Sequence, residues 1–240
     1  MEVIIKKDSK ELSEEFAVWI TDYIEKKLVR QEIFTLVLSG GSTPKKLYEL
    51  LASEKFKTKI DWKKIHCFWG DERYVPFDDE KNNARMAFET LLNNVPVVKE
   101  NIHVMRTEIP AEQSANEYEK ILHKYFTDKN KTFDLVLLGL GDNAHTLSLF
   151  PEEDVVNEKE KWVTSFYLKE QEMKRITLTA PVVNAAGCVV FLVSGSDKAA
   201  SVKHVIEDEH NPDLYPAQII QPYNEELYWW LDEAAAADLE

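Results

Sequence analysis

The chain has 240 residues, 44 % of them apolar, and a formal net charge of −14. That length and apolar share supply a sizeable core without a disulfide or metal staple. The negative balance argues against a nucleic-acid or membrane-surface partner, which would need a basic face, and requires that any lysines and arginines holding an anionic ligand be gathered locally.

In chain order, "EVIIK" near the N-terminus reads as a strand. Its three-residue apolar run is too short for a signal peptide or a membrane span, so a cytoplasmic protein is expected. Asp8 followed by Glu11 has the form of a capping box opening a helix through about Lys27. "FTLVLSG" is a buried strand, and Pro44 suits the first turn of a helix over "PKKLYELLA". "KIHCFWG" is the next strand, with Asn82 or Asn83 as cap for "ARMAFETLL". "NIHVM" and "FDLVLLGL" read as further strands, separated by a helix that Pro110 starts. "KWVTSFYL", "RITLTA", "CVVFLVSG" and "LYWWLDEAAAA" complete the chain. Cys67 and Cys188 both sit in apolar runs without a CxxC or His/Cys cluster, which predicts buried free thiols in a reducing compartment.

Uninterrupted apolar runs alternating with amphipathic stretches predict one α/β domain over residues 1–240, built on a mostly parallel sheet covered on both faces. Ligands of such sheets gather at the carboxyl ends of the strands. Four polar or glycine-rich loops follow predicted strands: "SGGSTP", "GDERYVPFDDEKNN", "GLGDNAHTLSLFP" and "SGSDKA". The first joins a strand to a helix through Gly40, Gly41, Ser42 and Thr43, where bare amides at a helix start favour a phosphate. It lacks the spacing of a P-loop, and an ordinary capping turn is the competing reading. "GLGDNA" matches GxGxxA, but its late position, the following Pro151 and the missing acidic strand end argue against a dinucleotide site.

His145 lies just past that bend, where a neutral imidazole can act as a general base. A packing or capping role competes with catalysis for a lone histidine. His66, His103, His123, His204 and His210 read as structural, with His103 nearest to a possible cleft. No histidine pair has metal-ligand spacing. Asp71, Glu72 and Arg73 stand at a strand end, where the guanidinium is either a surface ion-pair partner, a phosphate clamp or a carbonyl polariser. Arg175 and Lys198 are two further cations near strand ends.

Together, "LVLSGGSTPKKLYELL", "FWGDERYVPFDDEKNNARMAFETLL", "NIHVM", "FDLVLLGLGDNAHTLSLFP", "RITLTAPVVNAA", "FLVSGSDKA" and "YPAQIIQP…WWLDEAAA" resemble the 6-phosphogluconolactonase family, in the family's order and over nearly the whole chain. The resemblance implies a Rossmann-like α/β fold shared with sugar-phosphate isomerases and deaminases. It also implies hydrolysis of 6-phospho-D-glucono-1,5-lactone in the oxidative pentose phosphate pathway, with no cofactor and no metal. In that reading His145 activates water, with Asn143 and Arg73 in the catalytic set. Gly40, Gly41, Ser42, Thr43, Asp71, Glu72, Arg175 and Lys198 then bind substrate. The implied partner is a phosphorylated sugar lactone; a monomer is expected, with a weak dimer left open.

The family usually reads Asp-Gly-His-Thr-Ala-Ser where this chain has Asn143, Ala144, His145, Thr146, Leu147 and Ser148. Asn143 keeps the shape of an aspartate without its charge. Ala144 costs on the order of 1 kcal/mol if the position needs a positive φ. Two rivals follow: a glucosamine-6-phosphate deaminase-like isomerase, against which "SLFPEE" speaks, and a catalytically silent sugar-phosphate-binding homologue.

Overall fold

The computed structural model describes residues 1–240. Its main sheet is built from β1 (Glu2–Lys6), β2 (Phe34–Leu38), β3 (Ile65–Trp69), β5 (Leu135–Leu138), β8 (Val189–Val193) and β9 (Leu227–Asp232), in the order β1-β9-β8-β5-β2-β3. Every neighbouring pair in it is parallel. The helices are α1 (Ser9–Leu28), α2 (Ser42–Leu51), α3 (Asn83–Ala87), α4 (Ala111–Tyr125), α5 (Ala180–Asn184) and α6 (Ala199–Ile206).

Period-2 alternation in the buried strands splits the apolar residues between two cores. Leu135 and Leu137 of β5, with Val190 and Leu192 of β8, join Phe16, Ile20 and Tyr48 of α1 and α2 on one face. Val136, Leu138, Val189 and Phe191 join Tyr118 and Leu122 of α4 on the other. This is the expected α/β sheet with both faces covered.

β4 (Asp71–Arg73), β6 (Val163–Leu168) and β7 (Met173–Leu178) instead form a separate antiparallel sheet in the order β4-β7-β6. Gly70 ties the two sheets together, its N–H donating to Leu38 of β2 and its carbonyl accepting from Leu178. No strand forms at "NIHVM": Ile102 makes one isolated bridge to Cys67, and the chain then leaves the sheet edge. His103 N–H still donates to Cys67 of β3, and its Nε2 pairs with the Tyr125 hydroxyl at 2.7 Å, as does His66 Nδ1. That polar cluster holds the His103 side chain against α4 and takes it out of consideration for the cleft.

Asp8 caps α1 as expected, accepting from the amides of Lys10 and Glu11. The reciprocal bond of the capping box is displaced by one residue, because Glu11 accepts from Lys7 N–H. Asn82, not Asn83, caps α3 through Arg85 N–H. That short helix runs on as a π-type turn over Phe88–Leu92. No helix is long and apolar enough to cross a membrane.

Cys67 and Cys188 are free and fully buried, and burial pushes both thiols up to about 12. Neither thiol should react with Ellman's reagent in the native protein at neutral pH, and both should titrate once the chain is unfolded in guanidinium.

Candidate active site

The strands β8, β5, β2 and β3 are neighbours, so the four loops that leave their carboxyl ends meet at one end of the sheet. The order in which the chain adds strands reverses between β2 and β5, with β3 added on one side and β5, β8 and β9 on the other, which opens a crevice there. A cavity of about 250 Å³ occupies it, lined by Ser39–Pro44 after β2, Asp71 and Arg73 of β4, Gly139–Gly141 and His145–Leu147 after β5, and Ser194 and Lys198 after β8. Arg175 of β7 enters from the small sheet and Asn83 from α3. The lining holds three cations, Arg73, Arg175 and Lys198, and a single carboxylate, Asp71, within a chain of net charge −14. The cations are thus concentrated where an anion would bind.

The β2 loop opens α2 with Gly41 at φ 106° and no side-chain cap. A positive φ there suits glycine, and the uncapped first turn leaves amide N–H groups beside the cavity. Thr43 Oγ1 lies 2.9 Å from Ser194 Oγ, joining the loops after β2 and β8.

The β5 loop shapes His145. Its Nδ1 is 2.6 Å from Asn143 Oδ1, and the same oxygen accepts the His145 backbone N–H at 3.3 Å. An oxygen that accepts both can only be matched by an Nδ1–H, so Nε2 carries the lone pair. Asp142 makes no hydrogen bond to His145, whose side-chain partner is Asn143, and its backbone carbonyl accepts from Ser201 Oγ. Phe150 stacks on the imidazole with centroids 4.0 Å apart. Gly141 makes room for the ring, since a Cβ there would occupy the same space. Burial pushes His145 down to about 4, with Arg175 and Lys198 acting in the same direction and Asp71 and Asp142 opposing. The imidazole is therefore neutral at physiological pH.

Arg175 is 4 % exposed and largely committed: Nη1 lies 3.8 Å from Asp71 Oδ2 and Nη2 donates to Gln171, while Nε has no partner. Asp71 Oδ2 also accepts from Ser148 Oγ at 2.7 Å, binding the β5 loop to β4. Lys198 carries an exposed partner, Asp197, at 3.2 Å. Arg73 donates from Nη1 to the Lys81 carbonyl, and its buried Nε is unpaired.

Glu72 departs from the sequence expectation. It does not line the cavity; its carboxylate accepts from the amides of Arg73, Asn83 and Ala84 and fixes the start of α3. Burial pushes it up to about 7 against those three bonds. Asn143 is outside the lining, directly behind His145, whose Nδ1 its Oδ1 meets. Ser39, Asn83, Thr146 and Ser194 line the cavity although none of them was expected to meet a ligand. Ser39 and Ser194 each stand directly after a buried strand and before a glycine, which was the available signal.

Ala144 has φ 60° and Leu147 φ 55°, both in the left-handed region. Two non-glycine residues so close together store strain in the loop that carries His145. Ala144→Gly should stabilise the protein by about 1 kcal/mol in urea unfolding. Glu72→Gln should cost about 1–3 kcal/mol in the same assay, because an amide nitrogen would face a backbone donor that is now satisfied.

A family model described as "Glucosamine-6-phosphate isomerases/6-phosphogluconolactonase" matches residues 7–229. A 6-phosphogluconolactonase from Synechocystis sp. is 40 % identical over 243 residues, spanning all of this chain and 98 % of that protein. The crystal structure of a devB protein superimposes with a TM-score of 0.91 at 30 % identity, over 100 % of this chain and 99 % of that one. A 6-phosphogluconolactonase from Trypanosoma brucei superimposes with a TM-score of 0.87 at 27 % identity, over 100 % of this chain and 98 % of the other.

Proposed function

The chain belongs to the glucosamine-6-phosphate isomerase/6-phosphogluconolactonase family, and on that premise we propose that it hydrolyses 6-phospho-D-glucono-1,5-lactone to 6-phospho-D-gluconate in the pentose phosphate pathway. The observation that carries this reading is the Asn143–His145 bond, which leaves Nε2 as a free base at the edge of a cationic cavity.

Water bound between His145 Nε2 and the lactone carbonyl loses a proton to Nε2 as its oxygen adds to C1. The carbonyl oxygen becomes an oxyanion, and Arg73 is the cation assigned to it. As the tetrahedral centre collapses, the C1–O5 bond breaks and the imidazolium returns the proton to O5. Proton count and charge balance across the two steps, and no further reagent is needed. A histidine held down at about 4 is a modest base but a strong acid once protonated. That asymmetry suits protonation of an alkoxide leaving group.

In this reading the phosphate sits at the start of α2, which has no side-chain cap and, like Lys198, lines the cavity. An anion there gains from both the helix dipole and the hydrogen bonds. Its binding energy, remote from C1, holds the ring in the attack geometry. Arg175 contributes charge from behind Asp71, and Asp71 supports the imidazolium that forms.

The substitution of asparagine for aspartate beside His145 favours one competing reading, a homologue that binds without turnover. Assay of freshly generated lactone, with spontaneous opening subtracted, separates the two. The parent should turn over, and His145→Ala should lose about 10²–10⁴-fold in kcat/KM. Activity of the parent should fall as the pH drops through His145's value of about 4, where Nε2 becomes protonated. Asn143→Asp places a carboxylate on Nδ1–H, raises that value and should move the acidic limb to higher pH. A parent that binds 6-phosphogluconate but shows no turnover would overturn the proposal.

A further inference from the structure

We propose that β1 is a docking edge for a second copy of this chain, pairing antiparallel with β1 of that copy about a two-fold axis through Ile4. β1 ends the main sheet and is bonded only to β9. Lys6 accepts from Glu233 N–H, so the backbone groups of Lys6, and by alternation those of Ile4 and Glu2, point at β9. The same alternation seen from β9 agrees: Glu226 accepts from Val189 of β8, so even-numbered positions there face β8 and odd ones face β1. The N–H and C=O groups of Val3 and Ile5 therefore point away from the sheet. No other segment takes them up. Lys7 N–H, the next outward donor, is already held by Glu11.

An edge of this kind usually carries a charge or a proline at its outward positions. Here they are Val3 and Ile5, 38 % and 48 % exposed, and their apolar side chains share the face away from α1. The free backbone groups restrict the pairing. Two antiparallel copies bond through Val3 and Ile5 only if these residues lie opposite each other or themselves. Setting Val3 against Ile5 in both directions gives four hydrogen bonds and places Ile4 against Ile4. It also places Glu2 opposite Lys6 at both ends. A slip by two residues in either direction sets the charged side chains against isoleucine. The sequence EVIIK is thus complementary to itself in one register, and the occupant it fits is another β1.

The edge is five residues long, so the area covered is small and the association weak. The net charge of −14 opposes it, and added salt should relieve that repulsion. Sedimentation velocity from roughly 10 µM to roughly 1 mM should show a monomer–dimer equilibrium that tightens in moderate salt. Ile5→Pro removes one outward N–H per chain and no bond to β9, so the variant should remain folded, keep its melting temperature within a few degrees and stay monomeric. Glu2→Lys and Lys6→Glu should each weaken the dimer by about tenfold, since each alone opposes like charges. An equimolar mixture of those two variants restores opposite charge at both ends and should recover it. A parent that is monomeric throughout, a dimer unaffected by Ile5→Pro, or a mixture no better than its parts would overturn the proposal.

Discussion

Parallel alignment of four adjacent buried strands is the constraint on which the site depends. Because β8, β5, β2 and β3 run the same way and lie side by side, their outgoing loops emerge at one end. The crossover helices must then pack on the two faces, which the alternating side chains of β5 and β8 allow by feeding both cores. The small antiparallel sheet adds what the main sheet lacks. It delivers Asp71, Arg73 and Arg175 across the mouth of the crevice, and Gly70 fixes it to β2 through backbone bonds.

Charge within that crevice is organised against the charge of the whole. A chain with 43 acidic residues and 29 basic ones lines this one cavity with three cations and a single carboxylate. Asp71 is held by Ser148 and Arg175, so its negative charge is partly neutralised before any ligand arrives. His145 sits between these influences. Burial and two cations lower it, two aspartates raise it, and the net direction is down. Asn143 settles the tautomer but adds no charge, so orientation and basicity are here provided by different groups.

The loop after β5 combines this chemistry with backbone strain. Ala144 and Leu147 adopt left-handed conformations on either side of the histidine. They are retained in place by Ser201 on the Asp142 carbonyl, Ala217 on the Ala144 carbonyl and Thr146 on the Gly139 carbonyl. Such a segment keeps its shape because bonds from α6 and the C-terminal region over-determine it. Residues far from the cavity in sequence therefore set the geometry at its centre.

Much of this was legible in the chain itself. Apolar runs with flanking turn residues gave the strands of the main sheet, and the loops after β2, β3, β5 and β8 were identifiable as ligand-bearing because each follows a buried strand. His145, Arg73, Arg175 and Lys198 were identifiable as candidates from residue type and position. Their convergence was not, because strand order depends on which apolar faces pack together and no local pattern records it. The separate sheet of β4, β6 and β7 was hidden for the same reason, and "NIHVM" reads as a strand although it keeps only one bridge to β3. Glu72 shows the finer limit. It carries the right chemistry, but whether its carboxylate reaches ligand or backbone is decided by a few ångströms of tertiary placement. By itself the sequence determined the main-sheet strands, the longer helices, the Asp8 cap and the chemical inventory, since those follow from local sterics and periodicity; the tertiary structure alone decided which of those groups share one cavity, because that is a consequence of long-range packing.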